Sequence, residues 1–495
     1  MKNNSKLLFW VDAFLLHYCL AYYIQKNSSH ELFSIIDVTS RLKPFFETQN
    51  LVNFRNQWFL HDHINSNKKP DLEYLEKFEK KYQINLWNVA LNERLFYKHN
   101  EHYKFQLEEI LSIIESECRL FEKILDEVKP DFLVSLDFGL HHSNLLTKMC
   151  QKSGIQMLSI SVSKFPNRCY LSEFTDTLLD DTKGNDKSFS FEDLQELLTR
   201  NNLSKSLENL YSEMRTSRFT RISAGLPIIL GDNQNIHNHF AYYGRTKTKL
   251  ISSEIQNSFR TWYRGKFLLK NSFKKITDEK FVYLPMHQEP ERSLLIDAPF
   301  YTNQIEFIRH VAKSIPINYI LYVKEHPTQG RARGWRPISE YKEILEIPNV
   351  KLIHPSVSSQ ELMKKSSLVI SVSGTASFEA LIYNKPSVIF ANYGYRDAGI
   401  FKINCLEDLP NIINQAINSK VDLNKLNSYV NKLMKNSFEF DYYGFQMRSG
   451  NQFFYNRHAQ DVEIKENDMK NFLQNEEKSF EYIANAHLKF LEKYT

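Results

Sequence analysis

Apolar positions recur along this chain with two periods, and their alternation lays out an α/β protein. Between Phe105 and Val128, Leu107, Ile110, Leu111, Ile114, Cys118, Phe121, Ile124 and Leu125 recur at three- and four-residue steps, which predicts an amphipathic helix stopped by Lys129-Pro130. Phe132 to Leu136 is short, apolar and bounded by polar residues, which suits a buried strand. A turn through Asp137, His141 and His142 follows, then a helix over Ser143 to Lys152, a cap at Gly154 and a strand over Gln156 to Ser161. Such a βαβ unit implies a parallel sheet.

The rhythm is more regular in the second half. Strands are predicted at Phe281 to Met286, Tyr319 to Lys324, Val350 to Ile353, Leu368 to Val372 and Pro386 to Phe390. Helices are predicted near Asn303 to Ser314, Ser339 to Leu345, Ser358 to Lys364 and Ala376 to Tyr383. This is a second doubly wound unit. Helical stretches at about 423–435 and 468–494 have charged faces and are expected to pack across one or both domains. The pattern is weakest between Ser172 and Lys280, and the basic stretch Arg260 to Lys280 is read as a solvated interdomain boundary. The expected division is residues 1–265, 266–420 and 421–495.

The nearly apolar run Leu7 to Ile24 approaches the length of a membrane helix. Asp12 and His17 oppose that reading, because a charge near the middle of a span costs about 2.5 kcal/mol or more. A buried strand over Leu7 to Val11, a turn at Asp12-Ala13 and a buried helix from Phe14 to Gln25 are expected instead.

At 495 residues the chain is long enough for two or three domains at roughly 150 residues each. Its 63 basic and 58 acidic residues nearly balance, which argues against a broad nucleic-acid surface. Five scattered cysteines without CxxC spacing fit a reducing, cytoplasmic setting with no structural zinc or disulfide frame.

Two strand ends carry the candidate chemistry. Tyr322-Val323-Lys324-Glu325-His326-Pro327 turns charged where an open sheet binds ligands, and Ser371-Val372-Ser373-Gly374-Thr375-Ala376 breaks into small hydroxyl residues before a helix. Hydroxyls, free amides and a glycine suit a phosphate, and Glu379, one turn inside the helix, suits ribose hydroxyls. Together they point to a nucleotide.

The stretch Phe281 to Ile400, about a quarter of the chain, resembles the capsule polysaccharide biosynthesis family, which includes bacterial β-Kdo transferases. The likeness is carried by Leu284-Pro285-Met286-His287-Gln288-Glu289-Pro290-Glu291-Arg292, Asn303-Gln304, Val323-Lys324-Glu325-His326-Pro327, Ser373-Gly374-Thr375-Ala376 with Glu379-Ala380-Leu381, and Lys385-Pro386. Lys129-Pro130-Asp131 and Ser143-Asn144 resemble the family's acceptor-side domain more weakly.

The resemblance implies a GT-B fold, two Rossmann-like domains facing a cleft, and a glycosyltransferase that takes a sugar from a nucleotide-activated donor, with the HP pair leaning towards a CMP-Kdo-like one. The acceptor would be a surface or capsular polysaccharide or glycolipid. It implies a donor site of Lys324, His326, Pro327, Ser373, Gly374, Thr375, Ala376 and Glu379, with Arg331 or Arg333 as further cations, and no cofactor or metal. His287, Glu289 and, from the other lobe, Asp137 or His141 are candidates for the acceptor base. Contact with a membrane or export complex would be peripheral, through a basic face such as Arg260 to Lys275. A non-hydrolysing nucleotide-sugar 2-epimerase and a non-catalytic glycan- or nucleotide-binding subunit are the alternatives.

Overall fold

The computed structural model describes residues 4–136, 139–165, 167–173, 177–179, 187–199, 240–330, 334–391, 394–455 and 461–494. The first sheet is built from β1 (Lys6–Asp12), β2 (Glu31–Asp37), β3 (Asn56–Phe59), β4 (Phe132–Leu136), β5 (Gln156–Val162) and β6 (Arg168–Ser172). Across the sheet they run β6-β5-β4-β1-β2-β3. All neighbours are parallel except β5 and β6. The order reverses between β1 and β4, and that switch point opens a crevice at the strands' C-terminal ends.

The second sheet comprises β7 (Phe281–Pro285), β8 (Ile320–Lys324), β9 (Val350–Ile353), β10 (Leu368–Ser371), β11 (Ser387–Ile389) and β12 (Phe401–Lys402). It runs β12-β11-β10-β7-β8-β9, all parallel, and its switch point lies between β7 and β10. Both sheets therefore wind about a central first strand, and the architecture is GT-B.

The apolar N-terminal run is a strand followed by a helix, Leu16–Asn27, buried in the first domain. The chain's last helix, Glu466–Tyr494, covers it: Tyr23 donates to the Leu473 carbonyl at 2.6 Å and stacks on Phe480 at 5.7 Å between centroids. A short strand, β13 (Ser437–Glu439), pairs antiparallel with β6 on the first sheet. The helix Leu423–Lys435 instead packs Leu426, Tyr429, Val430 and Leu433 into the second core.

The basic stretch read as an interdomain boundary is no open linker as far as Asn271. It continues a 25-residue helix, Lys247–Asn271, anchored in the second core by Leu268. Exchange between domains also runs the other way, since Phe165 of the β5–β6 connection and Tyr170 of β6 belong to that second core.

Candidate active site

Parallel strands leave their C-terminal ends side by side, so β7, β8 and β10 bring His287, Lys324 and Ser373 to one edge. The His287 Nε2 lies 3.4 Å from the Ser373 amide. A Cβ on Gly374 would stand 2.8 Å from Ser371 Oγ and 3.2 Å from the His287 ring, so only glycine fits that approach without displacement. The turn is held from beneath, because Gly374 N donates to Ser371 Oγ at 2.6 Å and the Ser373 hydroxyl donates to the Ser293 carbonyl at 2.8 Å. Ser373 is therefore a brace for the turn.

Lys324 and His326 supply positive charge and a donor. Lys324 is 2% exposed, and its ammonium bonds Ser359 Oγ at 2.6 Å. Burial pulls its pKa down to about 8. Burial, with Lys324 and Arg336 nearby, lowers His326 to about 4, so its ring is neutral at pH 7. Its Nδ1 accepts from the Thr328 amide at 3.3 Å and lies 2.7 Å from the Thr328 hydroxyl, leaving Nε2 as the nitrogen for a ligand. Pro327 is exposed at the turn, and Ala376 opens the following helix, Ala376–Ile382.

Thr375 is exposed and donates to Glu379 Oε1 at 3.0 Å. Burial raises the Glu379 pKa, against that hydrogen bond and the charge of Lys164. Lys164 comes from the first domain, on the turn after β5, and stands over the Tyr395 ring at 5.3 Å. Tyr395 in turn donates to the Ser373 carbonyl at 2.6 Å. The first domain thus lays a cation beside the second domain's turn.

His287 and Glu289, read as candidate bases, are placed in other work. Burial, with His326 and Arg336, lowers His287 to about 3, and its Nε2 is the acceptor facing the Ser373 amide. It supports the turn. Glu289 is engaged by Arg336 at 2.8 Å, by Gln304 at 2.6 Å and by Lys98 of the first domain at 3.7 Å. Burial opposes its ionisation, but these partners hold its pKa below the usual carboxylate value. A cleft of about 360 Å3 borders Glu289 and is walled by Tyr97 and Lys98 on one side and Leu294 and Asn303 on the other.

Arg336 is the organiser that sequence reasoning missed. It is 3% exposed, bonds Glu325 at 2.7 Å and the His287 carbonyl at 2.6 Å, and so ties the β8 end to the β7 loop. Tyr341 completes Glu325 at 2.8 Å. In the sequence Arg336 is the last of three closely spaced arginines, after Arg331 and Arg333 and between Trp335 and Pro337, with nothing to mark it as the buried one.

The facing edge of the first sheet carries a second ionisable group. Register pairs Asp12 with Asp37 at the ends of β1 and β2. Burial and the neighbouring Asp37 raise Asp12 to about 7, against the Phe14 amide. Asp12 is partly exposed, whereas Asp37 is held by His61 at 2.8 Å and His142 at 3.1 Å. In the sequence Asp12 stands out only as a turn residue and as a charge that opposes a membrane span. Asp137, Arg331 and Arg333 lie outside the described residues.

His141, the other expected base of this lobe, is sealed between Glu93 at 2.8 Å and Glu117 at 2.9 Å. Burial opposes its charge, but the two carboxylates raise it to about 10, so it is an imidazolium and no base at neutral pH. Glu117, His141 and His142 each place a ligand atom within 4.8 Å of the others, a spacing a metal can bridge. The ring nitrogens of His141 are both engaged by carboxylates, so a metal would have to displace that proton.

Two doubly wound domains, with a cationic, glycine-turned edge on one and a titratable carboxyl on the other, make up a protein of GT-B architecture. Residues 238–437 match the model of the capsule polysaccharide biosynthesis protein family. No curated protein matches the sequence. Among solved structures it is similar to the β-Kdo 2,7 transferase KpsC of Thermosulfurimonas dismutans, at 13% identity and TM-score 0.30 over 72% of this chain and 90% of that one. It is also similar to the UDP-GlcNAc 2-epimerase of Methanocaldococcus jannaschii, at 12% identity and TM-score 0.24 over 87% of this chain and 99% of that one. At such scores the fold assignment rests on this chain's own strand order.

Proposed function

We propose that the protein is a glycosyltransferase that moves a sugar from a nucleotide-activated donor, held at the second sheet's edge, to a glycan or glycolipid acceptor at the facing edge of the first. The observation that carries the reading is Lys324: an ammonium 2% exposed, with a hydroxyl as its hydrogen-bond partner, beside the neutral His326 and the Gly374 turn. A buried cation is costly without an opposing charge, and a donor's phosphate supplies one.

In this reading Lys324 takes up the negative charge that develops on the leaving phosphate as the glycosidic bond breaks. His326 donates from Nε2 to a phosphate oxygen, and Glu379 accepts from ribose. Asp12, with a pKa of about 7, takes the proton of the attacking hydroxyl. Protein cations then carry the leaving charge, so turnover is expected to survive a chelator. The His326-Pro327 pair and the family favour a CMP-linked acidic sugar as donor.

Incubating CMP-, UDP- and GDP-sugars with and without glycan acceptors tests this. Nucleotide release that depends on the acceptor supports transfer. Conversion of a donor to its epimer without acceptor would overturn it.

A further inference from the structure

The helix Lys247–Asn271 turns one face to the protein and an unexpected one to solvent. Its inner face is used: Leu268 is buried, Arg264 donates to the Trp335 carbonyl at 2.6 Å, and Gly265 lies against the Trp335 ring. Near its start Lys249 donates to the His102 carbonyl at 3.2 Å. On the other side Ile251, Ile255, Phe259 and Trp262 are 50%, 67%, 65% and 54% exposed. Their spacing places them on one stripe, roughly 135° away from Leu268 at about 100° per residue, and Leu269 extends it. From Ile251 to Leu269 the stripe runs about 27 Å at about 1.5 Å per residue.

Charge says what this face meets. The helix holds six basic residues, Lys247, Lys249, Arg260, Arg264, Lys266 and Lys270, against the single acid Glu254. Its net charge equals the +5 of the whole 495-residue chain. Lys266 falls within the stripe and Lys270 at its border, and the Lys266 ammonium sits 4.0 Å over the Trp262 ring, while Lys274 and Lys275 follow the helix. Aromatic and aliphatic side chains on one face with lysines beside them are the composition of a helix that lies in the plane of a bilayer. Among the described residues no helix is long and apolar enough to cross one.

We infer that this helix binds the surface of an anionic lipid bilayer, with Ile251, Ile255, Phe259, Trp262 and Leu269 entering the headgroup and acyl boundary and the lysines pairing with acidic headgroups. The inference is independent of the donor-site reading. It brings the protein to the surface where a lipid-linked acceptor would be presented.

Co-sedimentation of the full chain with phosphatidylglycerol and phosphatidylcholine vesicles tests it. The wild type sediments with the phosphatidylglycerol vesicles and stays in solution with the others. Phe259→Ser with Trp262→Ser, and separately Lys266→Glu with Lys270→Glu, weaken partitioning at least about tenfold while the melting temperature is kept. Failure of the wild type to bind anionic vesicles overturns the inference, as does undiminished binding by the serine variant. So does a wild-type dimer that the serine variant converts to monomer, since the stripe then belongs to a second copy of the chain.

Discussion

Lys324 and Glu325 are adjacent in sequence yet their charges are used on opposite faces of the second sheet. The lysine meets Ser359 on the side of Tyr283 and Tyr322, and the carboxylate meets Arg336 and Tyr341 on the side of Val323. Side chains alternate along a strand, so neighbours of opposite charge cannot neutralise each other across it. Glu325 is satisfied by the fold, whereas Lys324 is left for a ligand.

Arg336→Ala strands Glu325 in the interior and removes the 2.8 Å contact to Glu289. Breaking a buried pair by deleting one partner costs about 3–5 kcal/mol. Denaturant unfolding should show a loss of that size, and a change below about 1 kcal/mol would mean that the network contributes little.

Gly374→Ala forces a methyl group against Ser371 Oγ and the His287 ring. Overpacking of this kind costs about 1–3 kcal/mol, and the distortion falls on the turn. Nucleotide affinity is expected to drop by more than the melting temperature would suggest, as read by calorimetric titration beside a thermal melt. Unchanged affinity would remove the turn from the site.

The core of the second domain was legible because its strands are short, uniformly apolar runs separated by amphipathic helices. Strand Val350–Ile353 falls where the pattern placed it, and Asn303 caps its helix by accepting from Glu306 N. β13 was not legible, since three residues pair with β6 across some 270 positions and nothing local marks them. The site was half legible. Lys324, His326 and Gly374 stand at strand ends, where composition changes abruptly. Arg336 reaches its partners through a loop fold, and Asp12 gains Asp37 as neighbour only through parallel register.

His141 gives the first domain a pH signature. Its pKa is raised from 6.5 to about 10 in the folded state, so the folded form binds the extra proton. The stabilisation is full below pH 6.5 and is lost as pH rises towards 10. The stability advantage of the wild type over His141→Gln should therefore shrink across that window. An advantage that is flat with pH would mean the ring is neutral.

Asp12→Asn removes the proposed proton acceptor without touching the donor edge. Transfer should fall about a hundredfold or more, and the limb of the pH–rate profile near 7 should disappear, with donor affinity kept. A retained limb would assign the base elsewhere.

The central claim is that the second sheet's edge holds a nucleotide phosphate against Lys324. Calorimetric titration with CMP, UDP, GDP and their sugar conjugates, on the wild type and on Lys324→Met, tests it most directly. A charge-assisted hydrogen bond contributes about 1.5–3 kcal/mol, so the account predicts that at least one nucleotide binds and that the variant loses about tenfold or more in affinity while its melting temperature holds or rises. Binding by both proteins with equal affinity, or by neither, would contradict it.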